Sequence, residues 1–228
     1  MTKENEMQRP LKAVILAAGQ ETVTADGVPI LLQPLGDAYV IDYVVRNALQ
    51  VVAPEDLFII VPSDDSQVEE HLDREDVTFV VQEEQLGTGH AVLQLEPRLA
   101  GFEGDLLILY GDTPLFRPSS ILGLLNRHRL KCADLTLLTA MVQEPLPYGR
   151  IIRDARGRII DIIEETDASP EVREIQELNV GAYLVRASTI FPMLHELSPS
   201  PVDHEYRLTD LAHRLIRSGR RVDSYQIY

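Results

Sequence analysis

Residues 12–35 read KAVILAAGQETVTADGVPILLQPL, and this stretch decides the fold class. Ala13 to Ala17 is an unbroken apolar run of strand length, and the Ala18-Gly19 pair after it is typical of a turn. Because glycine adopts backbone angles closed to other residues, N–H groups of such a turn can point together at an anion. No Lys or Arg occurs between Lys12 and Arg46. The stretch predicts either a phosphate-binding turn short of positive charge or simply the first strand and turn of an α/β domain.

The composition limits the classes of protein. A chain of 228 residues with 45% hydrophobic residues can bury one large core. It has no apolar run of about 18 residues and its polar start, MTKENEMQRP, has no apolar signal region, so we expect a cytoplasmic protein without a membrane span. A net charge of −15 opposes binding to nucleic acid or to an anionic membrane. The single cysteine, Cys132, excludes an internal disulfide and a cysteine-rich metal site.

Strand-like and helical segments alternate in the first part of the chain. Short apolar runs predict strands at Ala13 to Ala17, Leu57 to Val61, Val77 to Val81 and Leu106 to Leu109. Helical spacing is seen between them, as at Tyr39 to Val52 and His90 to Leu99. This alternation predicts an α/β fold with a doubly wound, mainly parallel, Rossmann-like sheet.

After residue 134 the pattern is richer in strands. The segment DLTLLTAMV at 134–142 predicts a strand, and GRIIRD with RIIDIIEE, joined by the short turn Ala155-Arg156-Gly157, predicts a hairpin over the ligand side. The remaining predicted elements are a strand, two helices and a last strand: Leu178 to Val185, Ser188 to Glu196, Leu208 to Ser218 and Arg221 to Ile227. The proline-bearing stretch Leu197 to His204 predicts a loop.

Five longer strings carry a family resemblance. They are VVQEEQLGTGHAV at 80–92, LLILYGDTPLFRP at 106–118, PYGRIIRD at 147–154, IIEETDASPEVREIQELNVGAYL at 162–184 and EYRLTD at 205–210. Together they are very similar to the uridyltransferase (pyrophosphorylase) domain of the bacterial bifunctional N-acetylglucosamine-1-phosphate uridyltransferase. The resemblance covers nearly the whole chain after Lys12. It implies a sugar nucleotidyltransferase fold and transfer of a uridylyl group from UTP to a sugar 1-phosphate, with release of pyrophosphate.

The resemblance also implies a domain organisation. We expect a polar tail over residues 1–11 and a single domain over 12–228. Its first half, 12–134, would bind the nucleotide, and its second half, 135–228, would bind the sugar. The chain has no hexapeptide repeats, so we expect no acetyltransferase domain of the kind that the bifunctional proteins carry.

The resemblance implies two sets of binding residues. For the nucleotide they are Ala18, Gly19, Gln82, Gly87, Thr88 and Tyr110, and for the sugar they are Gly149, Glu164, Asn179 and Thr209. The side-chain amide of Gln82 can both donate to and accept from the imide edge of uracil, and a glycine lets the backbone approach the ligand closely. Glu164 and Asn179 suit recognition of hydroxyl and acetamide groups. Taken singly, each residue is also an ordinary strand-end or hairpin residue.

Asp112 is the position that the resemblance implies as a magnesium ligand and as the one retained catalytic candidate. A carboxylate that follows a buried strand suits a hydrated Mg²⁺ that also binds phosphates. The sequence Gly-Asp-Thr-Pro is equally consistent with a plain turn. The family's second metal ligand, an asparagine, aligns beyond Tyr228.

The signature loop departs from the family pattern. Family members have Gly-x-Gly-Thr-Arg followed by a Pro-Lys pair, and that Arg and Lys hold the triphosphate and the sugar phosphate. Here Glu21, Val23 and Ile30 stand at the positions of the second Gly, the Arg and the Lys. A Lys common two residues after Glu164 is Thr166, and an asparagine-rich segment is SPSPVDH at 198–204.

These losses predict impaired catalysis. Removing one preorganised donor costs about 10²–10³ in rate, and removing an Arg that stabilises a transferring phosphoryl group costs about 10³–10⁵. Lys12, Arg150 and Arg153 could in principle compensate, although a solvated surface charge is the simpler interpretation of each.

Three hypotheses stay open at this point. The protein is a working uridyltransferase that needs Mg²⁺, or an impaired relative that binds a nucleotide sugar as a sensor or regulatory subunit. In the third hypothesis it is an interaction module that forms homo-oligomers or pairs with an active homologue.

Overall fold

A computed structural model describes residues 9–19, 27–64, 67–73, 76–144 and 146–228. The substituted loop positions Glu21 and Val23 lie outside these residues, whereas Ile30 lies inside them. The strands are β1 (Leu11–Leu16), β2 (Pro34–Leu35), β3 (Ala38–Tyr39), β4 (Leu57–Pro62), β5 (Thr78–Gln82), β6 (Asp105–Tyr110), β7 (Leu135–Met141), β8 (Arg150–Arg153), β9 (Ile159–Ile163), β10 (Glu177–Arg186) and β11 (Val222–Ile227).

Helices connect most of these strands. The α-helices are α1 (Val40–Ala48), α2 (Gln67–Leu72), α3 (Thr88–Leu93), α4 (Pro118–Lys131), α5 (Pro170–Arg173), α6 (Ala187–Leu194) and α7 (Leu208–Arg217). Short 3₁₀ helices span Ile30–Leu32, Pro54–Asp56, Glu96–Arg98 and Glu165–Asp167. None of the helices among the described residues is long and apolar enough to cross a membrane.

The main sheet has the strand order β11-β7-β10-β6-β1-β4-β5. Its neighbours are parallel except where β10 runs antiparallel to both β6 and β7. The prediction of a doubly wound, mainly parallel sheet is therefore confirmed. β8 and β9 form the predicted hairpin, which joins the sheet where Arg150 pairs with Leu178 of β10.

The sheet is apolar on both faces because helices cover both. Val14, Ile60 and Ile108 point to one face and belong to a core that includes Val92 of α3 and Leu211 of α7. The alternate residues Ala13, Ile15, Ile59, Leu107 and Leu109 point to the other face, where Val44 of α1 and Leu124 of α4 pack. A strand buried on both sides needs apolar residues at every position, and this produced the continuous runs in the sequence.

The strand order reverses between β1 and β6. β1 pairs with β4 on one side and with β6 on the other, and Leu16 lies beside Tyr110 at their carboxyl ends. The chain leaves these two ends in opposite directions across the sheet, which opens a crevice at the point where α/β proteins commonly bind ligands. Ala18, Gly19 and Asp112 follow these two strands.

Two predicted helices are shorter than their sequence patterns suggested. The segment from Tyr39 to Val52 is α-helical only over Val40–Ala48, the helix α1. The segment from His90 to Leu99 divides into α3 and the 3₁₀ helix Glu96–Arg98, which contains Pro97. A proline has no N–H to donate and crowds the preceding turn, so the α-helix ends before it.

Candidate functional site

The turn after β1 borders a cavity built largely from the predicted nucleotide residues. Its lining comprises Leu16, Ala18, Gly19, Gln82, Gln85, Gly87, Thr88, Ala91 and Glu205. The turn after β1, the end of β5 and the start of α3 each supply a part of it. The structure thus brings together five of the six residues expected to meet the nucleotide, and Tyr110 lies on the neighbouring strand β6.

Gln82 is buried at the end of β5, with only 2% of its surface exposed. Its Nε2 donates to the carbonyl oxygen of Gly87 at 3.3 Å and lies 2.9 Å from Nδ1 of His90. These contacts fix the turn that enters α3. Gln82 therefore shapes the cavity wall as well as lining it, and His90 takes part in a way that the sequence did not indicate.

The two glycines of the string LGTGHA make room for a distant segment. Gly87 has φ +99°, and a Cβ there would lie 2.8 Å from Cβ of Glu205 and 2.9 Å from the carbonyl oxygen of Tyr206. A Cβ on Gly89 would lie 2.8 Å from the same oxygen. The N–H of Gly89 donates to that oxygen at 2.6 Å, and the N–H of Tyr206 donates to the carbonyl of Leu86 at 2.8 Å. The strings LGTGHA and EYRLTD therefore form one wall by packing on each other.

Thr88 anchors the helix that carries a predicted sugar residue. Its Oγ1 accepts a hydrogen bond from the N–H of Leu208, the first residue of α7, at 2.9 Å. The N-cap position of α7, Arg207, makes no side-chain capping hydrogen bond, so Thr88 satisfies one of the free N–H groups of that helix. The nucleotide side and the sugar side of the site are joined through this contact.

The four predicted sugar residues also lie together. Thr209 Oγ1 donates to Glu164 Oε1 at 2.7 Å. A Cβ on Gly149 would lie 3.1 Å from Glu164 Oε2, and the N–H of Asn179 donates to the carbonyl of Gly149 at 2.8 Å. The open end of the β8–β9 hairpin, the start of β10 and the start of α7 thus meet around the Glu164 carboxylate.

A pair of tyrosines, the buried Tyr183 and the partly buried Tyr110, connects the two sides of the site. Asn179 Nδ2 donates to Tyr183 Oη at 2.7 Å, and Tyr183 Oη lies 3.4 Å from Tyr110 Oη. Burial raises the pKa of Tyr110 to about 12 and also raises the pKa of Tyr183 well above its ordinary value. Both hydroxyls therefore stay protonated at neutral pH. Tyr183 was not among the predicted residues, because within its apolar string it looks like ordinary core.

The tyrosine pair predicts a pH dependence of stability. An unfolded tyrosine has a pKa of about 10, so the unfolded chain loses these protons at lower pH than the folded chain does. The free energy of unfolding should therefore be unaffected by the pair below pH 10 and fall as pH rises from about 10 to about 12.

Urea denaturation and tyrosinate absorbance, each followed against pH, will measure this dependence. Tyr110→Phe should remove one of the two late-titrating hydroxyls and leave that of Tyr183, whereas Tyr228→Phe, at a residue that is 97% exposed, should remove neither. Titration of all eight tyrosines near pH 10 would contradict the assignment.

Asp112 is exposed, and it directly follows Gly111, which is buried and packs closely on its neighbours. The N–H of Gly111 donates to the carbonyl of Leu16 at 2.9 Å, and a Cβ on Gly111 would lie 3.2 Å from Cδ2 of Leu31. Desolvation by the surrounding protein raises the pKa of the Asp112 carboxyl above its ordinary value. Within the part of the chain that the structure describes, no group of three or more His, Cys, Asp or Glu side chains is arranged to hold a metal ion.

Ile30 precedes the leucine that packs on Gly111. It begins the 3₁₀ helix Ile30–Leu32 and is 41% exposed. The residue that replaces the family's Lys is thus an exposed apolar side chain on the segment that lies against the turn carrying Asp112.

Lys12, Arg150 and Arg153, the cations that could compensate for the lost charges, each form an ion pair with another residue of the protein. Lys12 pairs with Asp56, and its Nζ lies 5.6 Å and 5.5 Å from the ring centres of Phe58 and Phe102. Arg153 donates to Glu177, with Nη2 2.5 Å from Oε1.

Arg150 corrects one sequence interpretation. The sequence favours a solvated surface charge at this position, whereas Arg150 is only 1% exposed. Its Nη1 pairs with Glu165 Oε2 at 2.8 Å and donates to the carbonyl of Tyr148. A buried guanidinium needs such partners, and Arg150 therefore holds the start of the hairpin against the 3₁₀ helix that follows Glu164.

Arg207 is a further residue that sequence reasoning missed. Its Nη1 lies 2.6 Å from Asp167 Oδ2, and its Nη2 lies 2.5 Å from Asp203 Oδ2 and 3.3 Å from Thr166 Oγ1. It ties the predicted loop before EYRLTD, which contains no helix or strand, to the 3₁₀ helix Glu165–Asp167. Thr166, which stands where many family members have Lys, thus receives a hydrogen bond from this Arg.

Comparisons with known proteins agree with this architecture. Two solved structures share the fold, both at 20% sequence identity. A UDP-glucose pyrophosphorylase complexed with UDP-glucose aligns with a TM-score of 0.73 over 94% of this chain and 89% of that one. A putative glucose-1-phosphate thymidylyltransferase from Bacillus anthracis aligns with a TM-score of 0.78 over 96% and 87%.

Curated relatives are more similar in sequence. The bifunctional protein GlmU of Solibacter usitatus is 36% identical over 221 residues, which are 97% of this chain and 47% of the relative. GlmU of a Synechococcus species is 38% identical over 208 residues, which are 91% of this chain and 33% of the relative. The chain thus spans between a third and a half of the length of these relatives, and the resemblance found in its strings is confirmed. Since the model of the nucleotidyl transferase family also matches residues 12–226, the chain belongs to that family.

Proposed function

We propose that this protein binds a uridine nucleotide sugar in the crevice between β1 and β6 but catalyses uridylyl transfer very slowly or not at all. One observation carries the proposal. The cavity formed by the predicted nucleotide residues has no Lys or Arg among its lining residues, all of which the structure describes, while Glu205 adds a carboxylate. The residues that we propose for nucleotide recognition therefore lie together without the cations that phosphate chemistry needs.

The charge requirement follows from the reaction. In uridylyl transfer an oxygen of the sugar 1-phosphate attacks the α-phosphorus of UTP, the new P–O bond forms, and the bond to pyrophosphate breaks. Both reactants are anions, so positively charged groups must offset their repulsion and the charge that develops on the phosphate oxygens. Lys12, Arg150 and Arg153 are held by other partners, and Val23 and Ile30 carry no charge.

We also propose that the carboxylate of Asp112 is the protein ligand of a Mg²⁺ ion. Magnesium commonly binds one or two carboxylates together with substrate phosphates and water, and a surface carboxylate beside the crevice fits that use. When bound there, the ion would neutralise phosphate charge. Asp112 would hold it next to the Ala18-Gly19 turn, since β1 and β6 are neighbours.

The sugar end of the proposed ligand would meet Glu164, Asn179 and Thr209. Thr209 and Glu164 hydrogen-bond each other, the side chain of Asn179 donates to Tyr183, and the N–H of Asn179 donates to the carbonyl of Gly149. A ligand with hydroxyl and acetamide groups can replace or extend such bonds, whereas an analogue without them leaves buried polar atoms unpaired. We place this function in the cytoplasm, where a chain with a single free cysteine, Cys132, would keep it reduced.

Two measurements on one preparation test the proposal. Calorimetric titration with UDP-N-acetylglucosamine and Mg²⁺ should show saturable binding. Pyrophosphate release from UTP and N-acetylglucosamine 1-phosphate should be slower than in a family member with the intact Arg and Lys by about 10³-fold or more.

A matched pair of variants locates the binding. Thr209→Val removes the hydroxyl group that donates a hydrogen bond to Glu164. It should weaken binding of the UDP-sugar about tenfold. Thr189→Val makes the same chemical change at a buried threonine of α6 and should leave the affinity unchanged. Rapid sugar-dependent release of pyrophosphate would disprove the impairment, and absence of heat with every UDP-sugar would favour the interaction-module hypothesis instead.

A further inference from the structure

A cavity of about 660 Å³ lies apart from the proposed nucleotide and sugar residues. The turn of the β8–β9 hairpin, the end of α4 and the connection between α7 and β11 enclose it. Half of its lining residues are basic: Arg127, Lys131, Arg153, Arg156, Arg158, Arg220 and Arg221. It shares no residue with the nucleotide cavity.

The lining of this basic cavity is unusual for so acidic a chain. Seven of its residues are Lys or Arg, whereas the whole chain has 21 such residues and a net charge of −15. A common reason for basic residues at such a place is a helix end, whose carbonyl groups favour cations. That reason applies to Lys131 in the last turn of α4, to Arg221, whose Nη1 donates to the carbonyl of Lys131 at 2.8 Å, and to Arg220 just after α7. It does not apply to Arg127, Arg153, Arg156 or Arg158.

Part of this charge is unneutralised. Four of the arginines have a carboxylate within 4 Å: the pairs are Arg127 with Asp223, Arg153 with Glu177, Arg158 with Asp154 and Arg220 with Asp134. Lys131, Arg156 and Arg221 are exposed and have no ion pair with any residue that the structure describes. The Nε of Arg127 is also buried and has no hydrogen-bond partner among the residues that the structure describes. The cavity therefore combines surplus positive charge with free donors.

We propose that the basic cavity binds a small molecule that carries two or more phosphate groups. The planar guanidinium group donates in pairs to phosphate oxygens, and six of the seven cations here are Arg. Ile159, Ile216 and Val222 supply an apolar surface for the rest of the ligand. The site is separate from the proposed uridylyl-transfer site and does not depend on it.

The size of the cavity and the charge of the chain favour a small ligand over a polymer. Pockets for small molecules typically span about 300–1,000 Å³, which includes this one. A nucleic acid would extend beyond the cavity onto a surface with a large excess of Asp and Glu, and that surface would repel it.

Nuclear magnetic resonance can report both cavities separately. Amide signals of Gly157 and Gly219 report the basic cavity, and those of Gly87 and Gly89 report the nucleotide site. Titration with inorganic tripolyphosphate at about 0.15 M salt should shift the first pair saturably. Inorganic phosphate, which has a single phosphate group, should need much higher concentrations.

Charge-matched variants decide whether the binding is local. Lys131→Gln with Arg156→Gln should weaken tripolyphosphate binding about tenfold, since both residues are exposed cations of the cavity. Arg46→Gln with Arg98→Gln makes the same change in net charge at exposed positions outside the cavity and should have no such effect. Equal weakening by both double variants, or shifts confined to Gly87 and Gly89, would overturn the proposal. Binding of an oligonucleotide or a glutamate-rich peptide without binding of tripolyphosphate would overturn it as well.

Discussion

Pyrophosphate release should rise by about 10³-fold or more when Glu21→Gly, Val23→Arg and Ile30→Lys are combined in one chain. The triple variant changes the charge of the loop by +3, because it removes one carboxylate and adds two cations. From the family resemblance we expect each added cation to lie near phosphate oxygens. Electrostatic stabilisation of the transition state is largest there. The rate with UTP, N-acetylglucosamine 1-phosphate and Mg²⁺ is the measurement.

Two control variants distinguish the effect of the added positive charge from the effect of the changed side-chain shape. Glu21→Gly with Val23→Gln and Ile30→Gln gives polar side chains without positive charge and should restore little activity. Adding Asp112→Asn to the triple variant should abolish the gain, because Asp112 is the proposed partner of the phosphate-bound metal. A triple variant that binds UTP but shows no gain would mean that the lost cations are not what limits the reaction.

Gly87→Ala should destabilise the fold by about 2–6 kcal/mol and eliminate binding of UDP-sugars. Gly87 has φ +99° and ψ 177°, a backbone region open essentially only to glycine. The added Cβ would also press on Cβ of Glu205 and on the carbonyl of Tyr206. Backbone strain of about 1–3 kcal/mol and overpacking of about 1–3 kcal/mol act together, and moving Tyr206 would open the nucleotide cavity. Urea denaturation and calorimetry measure the two effects.

Gly101→Ala is the matched control for the backbone contribution. Gly101 also has positive φ, +76°, but a Cβ there would meet no atom of the described residues within 4 Å. Its substitution should cost only about 1–2 kcal/mol and leave ligand affinity unchanged. If the two alanine variants are equally stable and bind equally well, the packing of Tyr206 on Gly87 does not maintain the site.

The sheet could be predicted from the sequence because its strands are buried on both faces. Continuous apolar runs located β1, β4, β5 and β6 to within one or two residues at each end. The hairpin was equally visible, since β8 and β9 alternate around a short turn that contains Gly157. The local sequence pattern is sufficient to predict a strand where the burial of its residues follows one rule along its whole length.

The site was only partly predictable, because its decisive contacts join distant segments. Family resemblance supplied Gln82, Gly87 and Thr88, yet not that both glycines of LGTGHA accommodate Tyr206. Nothing local distinguishes the buried Arg150 from an exposed arginine, since its burial depends on Glu165 and on the fold of the hairpin. Such roles follow from tertiary packing, on which a short sequence window carries no information.

The hydrogen bond from Leu208 to Thr88 spans 120 residues of chain. During synthesis, residues 80–92 leave the ribosome long before residues 205–210 exist, so the wall that they share cannot close until the chain is nearly complete. Loop closure over that distance carries an entropic cost that local helices and hairpins do not bear. The sheet can therefore begin to form early in translation, whereas the nucleotide cavity is among the last parts of the molecule to be assembled, and a truncated chain that stops before residue 205 would lack it.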